Sequence, residues 1–316
     1  MPESRKQRKI KAGTINTSAS KAAAAALAVV LASGAWAGSC FAQDSEDPYP
    51  SIPHMTYEEY PEVDGSLACV PLMEALIRQV TGCSEAQAEE SLINFSNTNP
   101  SYERLKMGEA ELILSYEASE EYKKRLDQLE GLELSPVGKD ALAFLANEAN
   151  PVDGLTRGQI HDIYTGTITN WKEVGGEDLP IRAFQRREAS GSQTLMRLLL
   201  MGDEEIPEKQ MVRIEGMEGL IDALLEYDNS ANALGYSVYY YASSMYHQDG
   251  LKFLAVDGIK PVNDTIRSGQ YPLTNPFYVG IGEHSGENAH MLADWLLSEE
   301  GQRFVEDQGY VAAGEN

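Results

Sequence analysis

Short apolar runs alternate along the chain with stretches whose apolar residues recur every three or four positions. The short runs predict strands at 91–95, 110–115, 141–146, 181–185, 234–240, 251–256 and 277–282. The three-to-four spacing predicts helices at 71–81, 102–107, 120–129, 192–201, 216–227 and 288–297. Strands separated by helices point to α/β layers built on mostly parallel sheet. No internal repeat is evident.

The first 42 residues break this pattern. Six basic residues (Arg5, Lys6, Arg8, Lys9, Lys11, Lys21) and one acid surround an apolar run of eleven at 22–32, and small residues follow to Ala42. This is the order of an export signal, too short to span a bilayer, so residues 1–42 are read as a signal and the mature chain as exported. Ala35-Trp36-Ala37 and Cys40-Phe41-Ala42 both fit a small-x-small cleavage site. Ala37-Gly38-Ser39-Cys40 also resembles a bacterial lipoprotein box, which would make Cys40 a lipidated first residue. The destination is then either the cell surface or the periplasmic or extracellular space. Residues 43–62, rich in Asp, Glu and Pro, read as a flexible leader. Beyond it only Cys69 and Cys83 remain, and the helix predicted between them rises roughly 16 Å, against the ~7 Å limit for a disulfide. Two unbonded, buried thiols are expected.

Charge narrows the partners. The chain has 25 Lys+Arg against 49 Asp+Glu, and without the first 42 residues 19 basic face 48 acidic, a net of −29. Nucleic acid is excluded, since its binders need clustered cations. A small anion is not excluded, because exposed charges are screened beyond about 8 Å at physiological salt. GxSxG, HExxH, Walker A and EF-hand patterns are absent, and the five histidines are scattered, so neither a catalytic centre nor a metal or other cofactor is expected. Trp171 and Tyr239-Tyr240-Tyr241 read as core and rim rather than as a sugar platform.

What remains is hydroxyl and glycine residues set just ahead of helices: Asp64-Gly65-Ser66-Leu67, Ser96-Asn97-Thr98-Asn99-Pro100 and Ser190-Gly191-Ser192-Gln193-Thr194. Helix starts present unpaired N–H groups and a positive dipole end, and glycine admits a close ligand. Each alone is an ordinary cap. The third is preceded by Arg186-Arg187 at a strand end, and arginine's planar fork suits a tetrahedral oxyanion. An anion cradle is the reading that unites them, with an ion pair between Arg186 and Glu188 as the plain alternative.

Longer motifs carry a resemblance. Asn150-Pro151-Val152-Asp153-Gly154-Leu155-Thr156, Ile163-Tyr164-Thr165-Gly166-Thr167-Ile168-Thr169-Asn170-Trp171, the run from Phe184 to Thr194, Ala233-Leu234-Gly235-Tyr236-Ser237 and Tyr271-Pro272-Leu273 resemble the phosphate-binding proteins of bacterial phosphate ABC transporters. The resemblance runs from about Asp64 to Gly309. It implies an α/β, two-domain periplasmic-binding-protein fold with a two-stranded hinge and an interdomain ligand cleft. Domain I would comprise 63–146 and 236–316, and domain II 147–235, with crossings near 146–150 and 233–235. It also implies a metal-free phosphate site: Ser66, the Leu67 backbone and Thr98 from the first domain, and Arg186, Ser190, Gly191 and Ser192 from the second. The resemblance prefers Arg186 to Arg187, because the family arginine stands four places before the first serine of the signature, here Ser190.

Glu111 stands where the family segment usually carries an aspartate, whose carboxylate the resemblance implies accepts a hydrogen bond from a protonated phosphate and so rejects fully deprotonated sulfate. Its extra methylene would displace the oxygen by over ~1 Å. Asp140 also resembles a family position and is expected to be structural. The function implied is non-enzymatic capture of inorganic phosphate by a monomer that delivers it to the membrane permease of an ABC transporter. The competing readings are a phosphate sensor, or a binder of sulfate, molybdate or an organic acid on the same fold.

Overall fold

The computed structural model describes residues 48–188, 190–204, 206–207, 211–214, 217–226 and 230–314. In chain order the elements are β1 (Val63–Gly65), α1 (Val70–Thr81), α2 (Glu85–Leu92), α3 (Thr98–Met107), β2 (Leu112–Tyr116), α4 (Glu120–Arg125), β3 (Leu132–Asn147), β4 (Gly154–Leu155) and α5 (Arg157–Thr165). There follow β5 (Arg182–Arg186), α6 (Gly191–Met196), β6 (Met211–Ile214), α7 (Met217–Glu226), β7 (Ala233–Val238), β8 (Leu251–Phe253), β9 (Ala255–Val256), α8 (Asn263–Arg267), β10 (Thr274–Gly282), α9 (Glu287–Leu297), α10 (Glu299–Asp307) and β11 (Val311–Ala312). The export-signal reading and Cys40 lie outside the described residues.

The architecture is mixed α/β. The main sheet runs β1-β2-β10-β3-β7-β5-β6, with β8 and β11 also on β3, and β4 pairs with β9 apart from it. β1–β2, β5–β6 and β5–β7 are parallel, whereas β10 lies antiparallel between β2 and β3. The sheet is therefore less parallel than the strand–helix alternation predicts, because β10 returns from late in the chain to its middle. β3 holds the halves together. Its first part pairs with β10 as far as Ala141↔Thr274, and from Leu142 it pairs with β7. The change of partner thus falls a few residues before the crossing at 146–150 implied by the resemblance.

Local chemistry explains the elements that position the site. In α1 a proline in the first turn tolerates the missing N–H, and Leu72, Met73, Leu76, Ile77 and Val80 form one buried face. Each large side chain buried there stabilises the fold by about 1.5–3 kcal/mol. Gly82, left-handed at φ 67°, ends the helix. The thiols flanking it are unbonded, Cys69 buried and Cys83 half-buried.

Two expectations fail. The strand predicted at 91–95 is instead the end of α2 and a turn: Ser84 opens the helix upstream through a capping box with Gln87, and Ala88 and Leu92 then face inward. The segment 43–62, expected to be a flexible leader, is packed from Pro48 onward. Tyr49 and Ile52 are buried, the Tyr49 hydroxyl donates to Asp307 (2.7 Å), Arg303 donates to the Pro48 carbonyl (2.6 Å), and the Met55 N–H donates to Val80 (3.3 Å).

Candidate anion-binding site

The parallel pairing of β1 with β2 brings their C-terminal ends side by side. The Ser66 N–H extends the ladder by donating to Leu114 O at 2.9 Å. At Gly65 the two backbones come so close that a Cβ would lie 2.0 Å from the Leu114 carbonyl oxygen, so only glycine fits. Ser66 then stands at the start of a helical turn, Leu67–Cys69, without capping it through its side chain, and the first N–H groups of such a turn have no partner within it.

Asp64 builds the second part of the cradle. Fully buried, it accepts the Gly65 N–H (2.7 Å), the Ser96 N–H (2.7 Å), the Ser96 hydroxyl (2.5 Å) and Arg104 Nη1 (2.8 Å). This pins the loop ahead of α3 against β1. Asn97, at φ 101°, turns the chain and accepts the Thr98 N–H with its own side chain at 3.0 Å. Thr98 is thereby set beside Ser66: Ser66 Oγ lies 2.7 Å from Thr98 Oγ1 and 3.0 Å from Ser115 Oγ. The Tyr116 N–H donates to Ser66 Oγ (3.1 Å), and Ser101 Oγ donates to the Thr98 carbonyl (2.8 Å). Ser66, Thr98, Ser101 and Ser115 form one buried hydroxyl cluster.

The other wall comes from β5 and α6. Arg186 ends β5 and is 2% exposed, whereas Arg187 is exposed. Glu188 accepts from Arg197 (2.9 Å) and Gln193 (3.1 Å), which ties it to α6 and the turn beyond. The Tyr236 hydroxyl, from β7, accepts the Arg186 N–H (3.1 Å) and donates to Gln193 Oε1, locking the strand end to α6. Burial pushes this phenol well above its ordinary range against the pull of Arg186, so it remains a donor. Ser190 caps α6: its oxygen accepts the Gln193 N–H (3.3 Å) and its hydroxyl donates to Arg187 O (2.8 Å). Its proton is thus committed to the cap rather than pointed at a ligand. Ser192 Oγ is buried and makes no hydrogen bond among the described residues.

These walls meet. A Cβ on Gly191 would stand 2.5 Å from Thr98 Oγ1, so the start of α6 lies directly against the Ser66–Thr98 cluster. Ser66, Leu67 and Thr98 come together on one side, and Gly191, at the start of α6, faces them from the other. An open cavity of about 570 Å³ lies between 118–121 and the residues around Glu188, Thr194 and Arg197. A larger one, about 670 Å³, lies beside Ser135, Arg303 and Gly314, and neither cavity is lined by a predicted site residue.

Glu111 is elsewhere, a correction to its predicted role. It precedes β2, at the opposite end of the strand from Ser115 and about 13 Å away at ~3.3 Å per residue. Its carboxylate accepts the N–H groups of Glu62 (3.2 Å) and Gly286 (3.0 Å). The carboxylate next to Tyr116, Glu117, pairs with Lys123 at 2.5 Å. Sequence reasoning missed Asp64 as the organiser, and Ser115 and Tyr116 as members of the cluster. The available signal was their place at the ends of two apolar strands. Among the described residues no group of His, Cys, Asp or Glu is arranged to hold a metal.

Comparison with known proteins identifies the family and the fold. A family profile described as a PBP superfamily domain matches residues 75–300. Curated relatives include the phosphate-binding protein PstS of Borreliella burgdorferi, 27% identical over 54% of this chain and 63% of its own length. PstS of Bacillus subtilis is 30% identical over 54% of this chain and 55% of its own length. The chain thus spans somewhat over half the length of these relatives. Among solved structures, a Clostridium perfringens protein described as a phosphate ABC transporter substrate-binding protein, with phosphate bound, is 27% identical. It superposes with a TM-score of 0.62 over 80% of this chain and 98% of its own. An ABC-type phosphate transport receptor from Vibrio cholerae, 22% identical, shares the fold with a TM-score of 0.59 over 79% and 98%. The chain belongs to the PBP superfamily.

Proposed function

We propose that this chain is an extracytoplasmic solute-binding protein that captures inorganic phosphate, without catalysis, for ABC-type uptake. The observation that carries the reading is the convergence of Ser66 and Thr98 with Gly191 across a contact where a methyl group would not fit. The PstS names of the relatives and the phosphate bound in the Clostridium structure support the same ligand. In this reading the Ser66 and Thr98 hydroxyls, the Leu67, Gly191 and Ser192 N–H groups and the Arg186 guanidinium surround the anion. Ser192 Oγ turns toward it, and Ser190 holds the end of α6. The segments 63–146 with 236–316, and 147–235, form two lobes that close on the ligand. The chain acts as an exported monomer, anchored through Cys40 or released by cleavage, and hands phosphate to a membrane permease. Among the described residues no helix is long and apolar enough to cross a membrane.

A second reading, capture of another small oxyanion such as sulfate, draws support from the position of Glu111. With that carboxylate bonded to Glu62 and Gly286, accepting a hydrogen bond from the phosphate O–H falls to hydroxyl lone pairs, which accommodate a protonated phosphate but do not repel sulfate. Calorimetric titration of the mature chain with phosphate, sulfate and arsenate at two pH values tests both. Phosphate and arsenate are expected to bind, with sulfate only modestly weaker. Tight binding of sulfate or an organic acid without phosphate would replace the leading ligand.

A further inference from the structure

We propose that Asp140 is a positioning residue for ligand capture, holding the Ser66–Ala68 turn in its binding geometry from the point where β3 changes sheet partners. This inference rests on the cradle described above. Asp140 is 2% exposed and sits one residue before the switch from β10 to β7. Its carboxylate gathers donors from three segments: the Tyr116 hydroxyl at the end of β2 (2.6 Å), the Ala141 N–H in β3 (2.7 Å) and the Tyr240 N–H just beyond β7 (3.1 Å).

Two chains of contacts lead from it to the cradle. In the first, Tyr116 holds Asp140 with its hydroxyl and, with its own N–H, donates to Ser66 Oγ at 3.1 Å. In the second, the Tyr240 ring stacks on Tyr310 (centroids 3.5 Å apart, planes at 16°), and the Tyr310 hydroxyl donates to Ala68 O at 2.7 Å. The turn carrying the Ser66 hydroxyl and the Leu67 N–H is therefore gripped at both ends by residues that converge on one buried carboxylate. Every one of these bonds is directed inward, where a shift of the turn costs a buried bond rather than exchanging it for water.

The groups facing Asp140 are the phenols of Tyr116, Tyr239 and Tyr240 and the Cys69 thiol. Asn275 lies opposite it in β10, and the neighbouring Lys139 directs its ammonium to Arg267 O. With burial outweighing its three donors, the Asp140 carboxyl is raised to about 6. The ionised form accepts all three bonds, whereas protonation turns one acceptor oxygen into a donor facing Tyr116 or Tyr240. The sign for stability is opposite. A raised folded value means this group's contribution to stability is fully present at low pH and is lost as pH rises through about 6. Acidification should therefore loosen the cradle without weakening the fold at this residue, an outcome that a purely structural role would not produce.

The test is calorimetric titration of the full mature chain with inorganic phosphate from pH 5 to 8, for wild type, Asp140→Asn, Tyr116→Phe and the double variant. Each single change is expected to weaken binding about tenfold at pH 7.5, the loss of one bond to a charged acceptor. The double variant should be no weaker than either alone, and the gap between wild type and Asp140→Asn should close toward pH 5. Additive effects, a gap constant with pH, or wild-type affinity in the variants would overturn the proposal. If Asp140→Asn does not fold, the Tyr116→Phe titration decides alone, by weakened or unchanged binding. Amide hydrogen exchange at Ser66, Cys69 and Tyr116 in the unliganded chain gives a readout independent of ligand identity. Faster exchange in the variants is expected, and unchanged exchange refutes the linkage. A wild-type chain with protected amides but no phosphate affinity would instead refute the ligand reading alone.

Discussion

Replacing Gly191 by alanine isolates the contact on which the cradle depends. The new methyl carbon would lie 2.5 Å from Thr98 Oγ1, with Thr98 Cβ at 3.5 Å and Cγ2 at 3.8 Å. Only the hydroxyl oxygen must yield, by close to 1 Å if an ordinary C···O contact of ~3.4 Å is to be restored. Thr98 can yield only by turning away from Ser66, which breaks the 2.7 Å bond between their hydroxyls, or the two walls must part. Overpacking of this kind costs about 1–3 kcal/mol, equivalent to roughly 5- to 150-fold in affinity. The helix itself should not suffer, because alanine is the better helix former at the start of α6. Calorimetry should thus show weakened anion binding, and because the clash is present without ligand as well, thermal unfolding should show a melting temperature a few degrees below wild type. Wild-type affinity in Gly191→Ala would show that Gly191 and Thr98 are not in contact when ligand is bound, and the convergence argument would fail with it.

Other substitutions separate the residues around the cradle. Arg186→Ala should weaken phosphate binding by about 2–5 kcal/mol, the cost of removing one partner of a buried charged contact, while Arg187→Ala, on the exposed side, should leave it unchanged; titrating both side by side decides between them. Glu111→Gln should leave the phosphate-to-sulfate affinity ratio unaltered, yet lower stability in chemical denaturation by about 1 kcal/mol, since an amide accepts the Glu62 and Gly286 N–H groups less well than a carboxylate. Asp64→Ala should do both kinds of damage: the loop at Ser96 loses its anchor, Arg104 is left without its buried partner, and denaturation and titration should each register the change.

Much of this site was legible in the chain because hydroxyl–glycine runs before helices have a direct physical meaning. The preference for Arg186 over Arg187 comes from the family resemblance, and the two differ in burial, Arg186 lying buried at the end of β5 and Arg187 exposed. The failures have physical causes. The motif places Glu111 in the site, whereas which end of a strand faces a ligand is set by pairing, and the register Val63↔Leu112 puts the far end of β2 beside Ser66. β3 runs sixteen residues, yet Gly138-Lys139-Asp140 interrupts its apolar pattern, so only its second half read as strand. The polar break is the place where Asp140 gathers donors from three segments, and no local window can reveal such long-range partners. Pro48 to Tyr60 read as a leader on composition, whereas Tyr49 and Ile52 anchor it against α10 and its neighbours.

The central claim is that one anion touches both walls at once. A titration of the ¹⁵N-labelled mature chain with inorganic phosphate, followed by amide and Arg Nε resonances, tests it at individual residues. The account predicts saturable shifts at Leu67, Thr98, Gly191, Ser192 and Arg186 Nε with one common dissociation constant, and none at Glu62, Glu111 or Gly286. Shifts confined to one wall, or centred on Glu111, would contradict it.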